Sequence, residues 1–281
     1  MSEGQHDMRD GKALRRGLVL VGCGKMGTAM LRGWLPGGAI SRFYIVEPEG
    51  TPPGFAPAPE TEWHTTADTL PDGLTPDAVV FAVKPQIIDS VAPLYRRWAV
   101  PETLFVSIVA GKTLAGLERH LGPAAIIRTM PNTPAAIGRA ITVACANPRV
   151  MSEQRQLCDR LLAAIGESTW VDDEALMDAV TAVSGSGPAY VFLLIEALAR
   201  GGEAEGLPPA LALRLARSTV AGSAEFARVS AESPATLREN VTSPGGTTRA
   251  ALDVLIAPDG LEPLIVRAVA AAAARSRALA R

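Results

Sequence analysis

The stretch VGCGKMGTAM sets Gly22, Gly24 and Gly27 in the spacing G-x-G-x-x-G, after an apolar run and before a helical pattern. That context is what a dinucleotide-binding turn requires. Gly22 permits the tight turn, Gly24 lets backbone amides approach a pyrophosphate, and Gly27 lets the helix pack closely on the strand. The positive end of the helix then faces the phosphates. Cys23, inside the loop, reads as a small space-filling residue and not as a reactive thiol. Glu47 follows the last glycine by about 20 residues, where an acid bonds a ribose 2′-hydroxyl and repels a 2′-phosphate. This favours NADH over NADPH, and no basic residue directly follows to clamp a phosphate. The alternative is a solvent-facing loop acid before Pro48.

Three further segments lie where apolar runs end: AVKPQ (82–86), SIVAGKT (107–113) and RTMPNTPAAIG (128–138). In open α/β sheets ligands gather at such edges. Lys84 is either a surface lysine or a group near ribose or nicotinamide. Asn132 offers a donor and an acceptor, although the segment also reads as a structural turn fixed by its prolines. Far downstream, SPGGTTRAAL (243–252) sets two glycines between a proline and two threonines, directly before a helix. On its own it reads as a connector whose threonine caps the next helix. SGSGP (184–188) reads as small residues that let helices cross closely. No histidine, cysteine or paired carboxylate stands beside these motifs as an obvious acid.

The elements that position these residues follow from the patterning. LVLVG (18–22), FYIVE (43–47), AVVFAVKP (78–85), TLFVSIVAG (103–111), AAIIRTMPN (124–132) and RAITVACA (139–146) predict buried strands. Helices are expected over 28–35, near 86–97 and near 152–165, with a short strand near 168–171. Residues 50–60 carry four prolines and two glycines and predict a loop. Continuous Val/Ile runs with helices between them indicate a mostly parallel sheet covered on both faces. From about residue 173 strand signals vanish, and Ala/Leu-rich helical segments alternate with SGSGP, GLPP, ESP and SPGG. The expected fold class is therefore α/β, a Rossmann-type doubly wound domain over 17–172 followed by an all-α domain over 173–281. Residues 1–16 are polar and mixed in charge and read as a disordered tail and not a signal peptide.

A chain of 281 residues, 48% hydrophobic and 20% charged, has room for two domains. A net charge of -2 with scattered basic residues gives no sign of a nucleic-acid or membrane-surface partner. Cys23, Cys145 and Cys158 match no zinc or disulfide framework, and His6, His64 and His120 are far apart. A reducing, cytoplasmic compartment and no metal site are expected. The apolar stretch 175–199 contains Asp178 and Glu196 and a Gly/Ser/Pro interruption, so it does not read as a membrane span. Residues 188–199 are apolar nearly all round, which implies burial on more than one side and an intimate homodimer.

Taken in order, GCGKMG, AVKPQ, SIVAG, RTMPNTP, AVSGSGPAY and NVTSPGGTTRAAL resemble pyrroline-5-carboxylate reductase. The resemblance spans about residues 17–275. It implies reduction of the cyclic imine 1-pyrroline-5-carboxylate to L-proline by NADPH or NADH. The implied site lies between the Rossmann domain and helices of a partner subunit. By position, Gly22, Cys23, Gly24, Lys25, Met26, Gly27, Ala82, Val83, Lys84, Pro85 and Ala110 line the cofactor, with Asn132 nearby. Ser243, Gly245, Gly246, Thr247 and Thr248 hold the substrate carboxylate and ring nitrogen, Asn240 helps build that pocket, and Glu174 matches a position near the site. The family often carries Ser, Asn or an Arg-bearing segment where Glu47 stands.

The likeness gives the downstream glycines a job: bare amides of Gly245, Gly246 and Thr247 before a helix bind a small anion without a cationic side chain. Catalysis then rests mostly on positioning, with Thr248 orienting the proton at the imine nitrogen. Rival readings are a reductase of another cyclic imine carboxylate and a non-catalytic dinucleotide-binding sensor. A 3-hydroxyacid dehydrogenase needs a catalytic lysine on a helix, and the second half of the chain has none.

Overall fold

A computed structural model describes residues 16–38 and 40–279. Except for Arg16, which donates to Asp77, the expected tail lies outside the described residues. The described chain forms two compact units: one runs to Gly185 and resumes at Ala273, and the other is Ser186–Ala272.

The first unit is built on an eight-stranded sheet in the order β3-β2-β1-β4-β5-β6-β7-β8. The strands are β1 (Leu18–Val21), β2 (Phe43–Val46), β3 (Thr61–His64), β4 (Ala78–Phe81), β5 (Leu104–Ser107), β6 (Ala125–Met130), β7 (Ala140–Ala146) and β8 (Gly166–Trp170). All neighbouring pairs are parallel except β6 and β7. The helices of this unit are α1 (Lys25–Trp34), α2 (Ile88–Val91), α3 (Leu114–Leu121), α4 (Ser152–Ala163) and α5 (Met177–Val180).

Alternation along the strands divides the core in two. Leu18, Leu20, Val80 and Ile127 pack on one face with Met30 and Leu31 of α1 and Leu161 and Leu162 of α4. Val19, Val21, Phe81 and Ile126 pack on the other with Ile88 of α2, Leu117 of α3 and Met177 of α5. Burial on both faces explains the uninterrupted apolar runs of the central strands. Because β1 leads to β2 on one side and β4 lies on its other side, the ends of β1 and β4 meet at the point where the winding reverses. Ligands bind at that point in such sheets.

Two elements depart from the sequence expectation. Strand β3, TEWH, is an edge strand with one buried residue out of four, so it lacks an apolar run. The helix near 86–97 is a four-residue α2 followed by a 3-10 segment, Ala92–Trp98, whose Pro93 removes a helical amide. By packing, the residues up to Gly185 group with the first unit. Residues 173–185 stay on the sheet because Met177 and Ala182 are fully buried.

The second unit is helical: α6 (Gly187–Ala204), α7 (Pro209–Val229), α8 (Pro234–Asn240), α9 (Thr247–Leu255) and most of α10 (Leu261–Leu279). A π-turn, Thr181–Gly185, precedes α6. Helices α6 and α7 pack closely at Gly202, where a Cβ would lie 3.4 Å from Ala212 Cβ. Phe192 and Leu193 on α6 and Phe226 on α7 stay more than half exposed. Among the described residues one helical stretch, Glu174–Ala204, is long and apolar enough to cross a membrane, with a mean hydropathy of 1.4.

Candidate active site

The glycine turn sits at the switch point. Gly22 has φ 88°, and a Cβ there would lie 2.8 Å from the Ala82 carbonyl oxygen and 2.9 Å from Val83 Cγ1. A Cβ on Gly27 would lie 2.5 Å from the Gly22 carbonyl oxygen. These two glycines are required by crowding from the segment that follows β4 and from the turn itself. Gly24 differs, since nothing lies within 4 Å of its Cβ position. It faces open space at the start of α1, which has no side-chain cap and no acid in its first turn. Uncapped amides, a positive helix end and space over the backbone together suit a pyrophosphate. Thr28 Oγ donates to the Cys23 carbonyl at 2.9 Å and fixes the loop from below.

Glu47 follows β2 and accepts from the Cys23 amide at 2.6 Å. The Glu49 amide approaches its other oxygen at 3.4 Å. The acid is therefore held against the glycine turn and is not a free loop residue. Ala82, Val83, Lys84 and Pro85 follow β4, and Ala110 follows β5, along the same sheet edge. Asn132 follows β6 and is 9% exposed. Its Oδ1 accepts from the Ile141 amide at 3.1 Å and its Nδ2 donates to Ser184 Oγ at 3.3 Å. Both ends of this amide tie the loop after β6 to β7 and to the π-turn.

Glu174 lies in the first unit. Its Oε1 accepts from Arg128 Nη1 at 2.9 Å and from the Leu114 amide at 2.8 Å. Sequence reasoning passed over Arg128, although a charged residue inside the run AAIIRTM was a signal. It is 2% exposed, within a strand buried along its whole length.

The downstream motif lies in the second unit. Gly245 has φ 69° and open space at its Cβ position, whereas a Cβ on Gly246 would lie 2.5 Å from Ser243 Oγ. The Gly246 amide was expected to face an anion. It donates instead to the Ser243 carbonyl at 3.1 Å and closes the turn. Helix α9 then starts at Thr247 with no side-chain cap and no acid in its first turn. Thr247 and Thr248 therefore do not act as caps, contrary to the connector reading. Asn240 ends α8 and donates to Glu232 Oε2 at 3.1 Å. Glu232 was missed because a lone acid in the ESP punctuation carries no pattern.

Burial pushes the thiols of Cys23 and Cys145 up, and that of Cys158 up to about 12. None is suited to act as a thiolate. Among the described residues no group of three or more His, Cys, Asp or Glu could hold a metal ion.

Comparison with known proteins gives the arrangement a context. The family described as pyrroline-5-carboxylate reductase dimerisation matches residues 174–279. The chain is 40% identical to a pyrroline-5-carboxylate reductase of Pisum sativum over 93% of this chain and 95% of that protein. It is 46% identical to one of Pseudomonas aeruginosa over 73% and 75% of the two chains. A crystal structure of Plasmodium falciparum pyrroline carboxylate reductase with NADP bound superposes with a TM-score of 0.80 at 29% identity, covering 94% of this chain and 98% of that one.

Proposed function

The chain belongs to the pyrroline-5-carboxylate reductase family, and from that premise we propose how its own residues carry the reaction. It is an NAD(P)H-dependent oxidoreductase that reduces 1-pyrroline-5-carboxylate to L-proline, and it carries the family's dimerisation domain. When bound, the nicotinamide supplies the hydride that adds to the imine carbon.

The turn of Gly22, Cys23, Gly24, Lys25, Met26 and Gly27 holds the pyrophosphate on the α1 amides. Ala82, Val83, Lys84, Pro85 and Ala110 line the rest of the cofactor, and Asn132 fixes the neighbouring loop. Glu47 binds the adenosine ribose hydroxyls, and with Glu49 beside it repels a 2′-phosphate, so NADH is preferred over NADPH. Its fixed position on the Cys23 amide supports this assignment.

The substrate carboxylate binds at the start of α9, on the amides of Gly245 and Thr247 and the hydroxyl of Ser243. Gly246 supplies the space, and Asn240, steadied by Glu232, shapes the wall. Thr248 holds the proton at the ring nitrogen as the carbon becomes tetrahedral. The loop of one protomer serves the nucleotide of its partner in a homodimer, and the enzyme works in the cytoplasm. The observation that carries this reading is the uncapped α9 terminus behind two glycines.

The test follows oxidation of NADH and of NADPH with 1-pyrroline-5-carboxylate and with its six-membered homologue, with proline detected as product. Proline formation with a higher kcat/KM for NADH supports the reading. Preference for the larger ring, or nucleotide binding without turnover, refutes it.

A further inference from the structure

The end of the loop between β5 and α3, with the first residue of α3, is fixed at four consecutive positions. Gly111 has φ 74°, and the last turn of α10 packs so closely on it that a Cβ would lie 2.7 Å from Leu279 Cβ. Lys112 Nζ pairs with Asp89 of α2 at 2.7 Å. The Thr113 hydroxyl caps α3 by accepting from the Gly116 amide at 3.0 Å. The Leu114 amide, one of the donors a helix start leaves unpaired, donates to Glu174 Oε1. An acid is favoured there by the helix dipole.

Glu174 belongs to the stretch by which the chain leaves the first unit. Nearby Asp178 accepts from Ser276 Oγ at 2.6 Å, and Ser276 is on the α10 turn by which the chain returns. The departing and returning stretches are thus bonded to each other, and they contact Leu114 and Gly111 respectively, just after Ala110.

We propose that Glu174 is a positioning residue for the cofactor: by holding the Leu114 amide it sets the backbone from which Ala110 faces the nicotinamide. The proposal rests on the reading of Ala110 as part of the cofactor site. One oxygen serves two donors, and the two bonds have separable consequences. The bond to Arg128 pairs a buried cation and governs stability. The bond to Leu114 governs where the loop sits.

Two variants of the full-length chain separate them, read by the thermal midpoint without nucleotide and by the NADH dissociation constant. Glu174→Gln keeps an acceptor oxygen but loses the charge. It is expected to lower Tm by roughly 5 °C or more while leaving the NADH constant within about twofold. The double variant Arg128→Met with Glu174→Leu removes the ion pair whole. It is expected to keep Tm within a few degrees but to raise the NADH constant about tenfold, because the Leu114 amide loses its acceptor.

A third variant, Leu114→Pro, deletes the donor at a position where proline suits a helix start and leaves the Arg128–Glu174 pair in place. It too is expected to weaken NADH binding several-fold, read independently of any loss of leucine packing by comparison with Leu114→Ala. NADH affinity that simply follows Tm across the set, or an unchanged constant in Leu114→Pro, overturns the proposal. So does a Glu174→Gln enzyme whose main defect is the KM for the imine. If the wild-type chain binds neither NADH nor NADPH, the reading of the cofactor site fails instead, which is a separate result.

Discussion

Two glycine turns precede helices in this chain, and they use glycine for different reasons. At the nucleotide turn, Gly22 and Gly27 are crowded by backbone atoms that cannot move aside. At the downstream turn, Gly245 is open and Gly246 is crowded only by the Ser243 hydroxyl, the end of a side chain. The first turn is completed by its own unit, with Cys23 almost fully buried and Glu47 locked onto it. The second is largely exposed in the single chain. One is closed by backbone on both sides, whereas the other leaves Ser243 and Thr247 exposed and ties its Gly246 amide back to the Ser243 carbonyl.

The sharpest way to break this contrast is to put the same side chain in both turns. Gly27→Val forces a Cβ onto the Gly22 carbonyl and should destabilise the protein by about 1–3 kcal/mol or more while abolishing nucleotide binding. Gly246→Val should leave Tm nearly unchanged but lower kcat/KM for the imine by about 10²-fold or more by displacing Ser243 and the carboxylate. Equal losses of stability in the two variants would erase the distinction.

Thr248→Ala comes next. It should lower kcat by roughly 10²-fold with NADH affinity unchanged, since the hydroxyl is assigned to the substrate nitrogen. Stopped-flow hydride transfer and a nucleotide titration check this pair of outcomes. Glu47→Ser should shift the NADPH-to-NADH ratio of kcat/KM about tenfold toward NADPH, because a like charge next to a 2′-phosphate is removed. An unchanged ratio would show that Glu47 serves only to brace the turn.

The smallest effect concerns the thiols. The pKa of all three is raised by burial, to about 12 for Cys158, so the thiolate fraction at pH 8 lies below that of a free cysteine. A maleimide at pH 7 should leave activity unchanged over the time that labels a free thiol fully. Rapid inactivation would mean that the Cys23 turn opens.

The same contrast explains what could be read in advance. Strands β1, β2, β4, β5, β6 and β7 were legible because burial on both faces demands apolar runs. The edge strand β3 was not, since only His64 among its four residues is buried. The glycine turn was legible by spacing alone. The downstream turn needed the resemblance, because glycines and threonines before a helix also suit a plain connector. The return of α10 to the first unit left no trace in the sequence. The small residues involved, Ala273 and Ser276, fit any helix in an alanine-rich segment. Glu174 was noticed by position, but its partners on β6 and α3 are set by tertiary packing that helical periodicity does not encode.

Helix α10 contributes residues to both compact units, with the division at Ala272 and Ala273. A gene fragment stopping at Gly185 would therefore yield a nucleotide module lacking the piece that covers Gly111. Only the second unit is contiguous in the chain, so the nucleotide module expressed alone would need the final turns supplied as a peptide in trans.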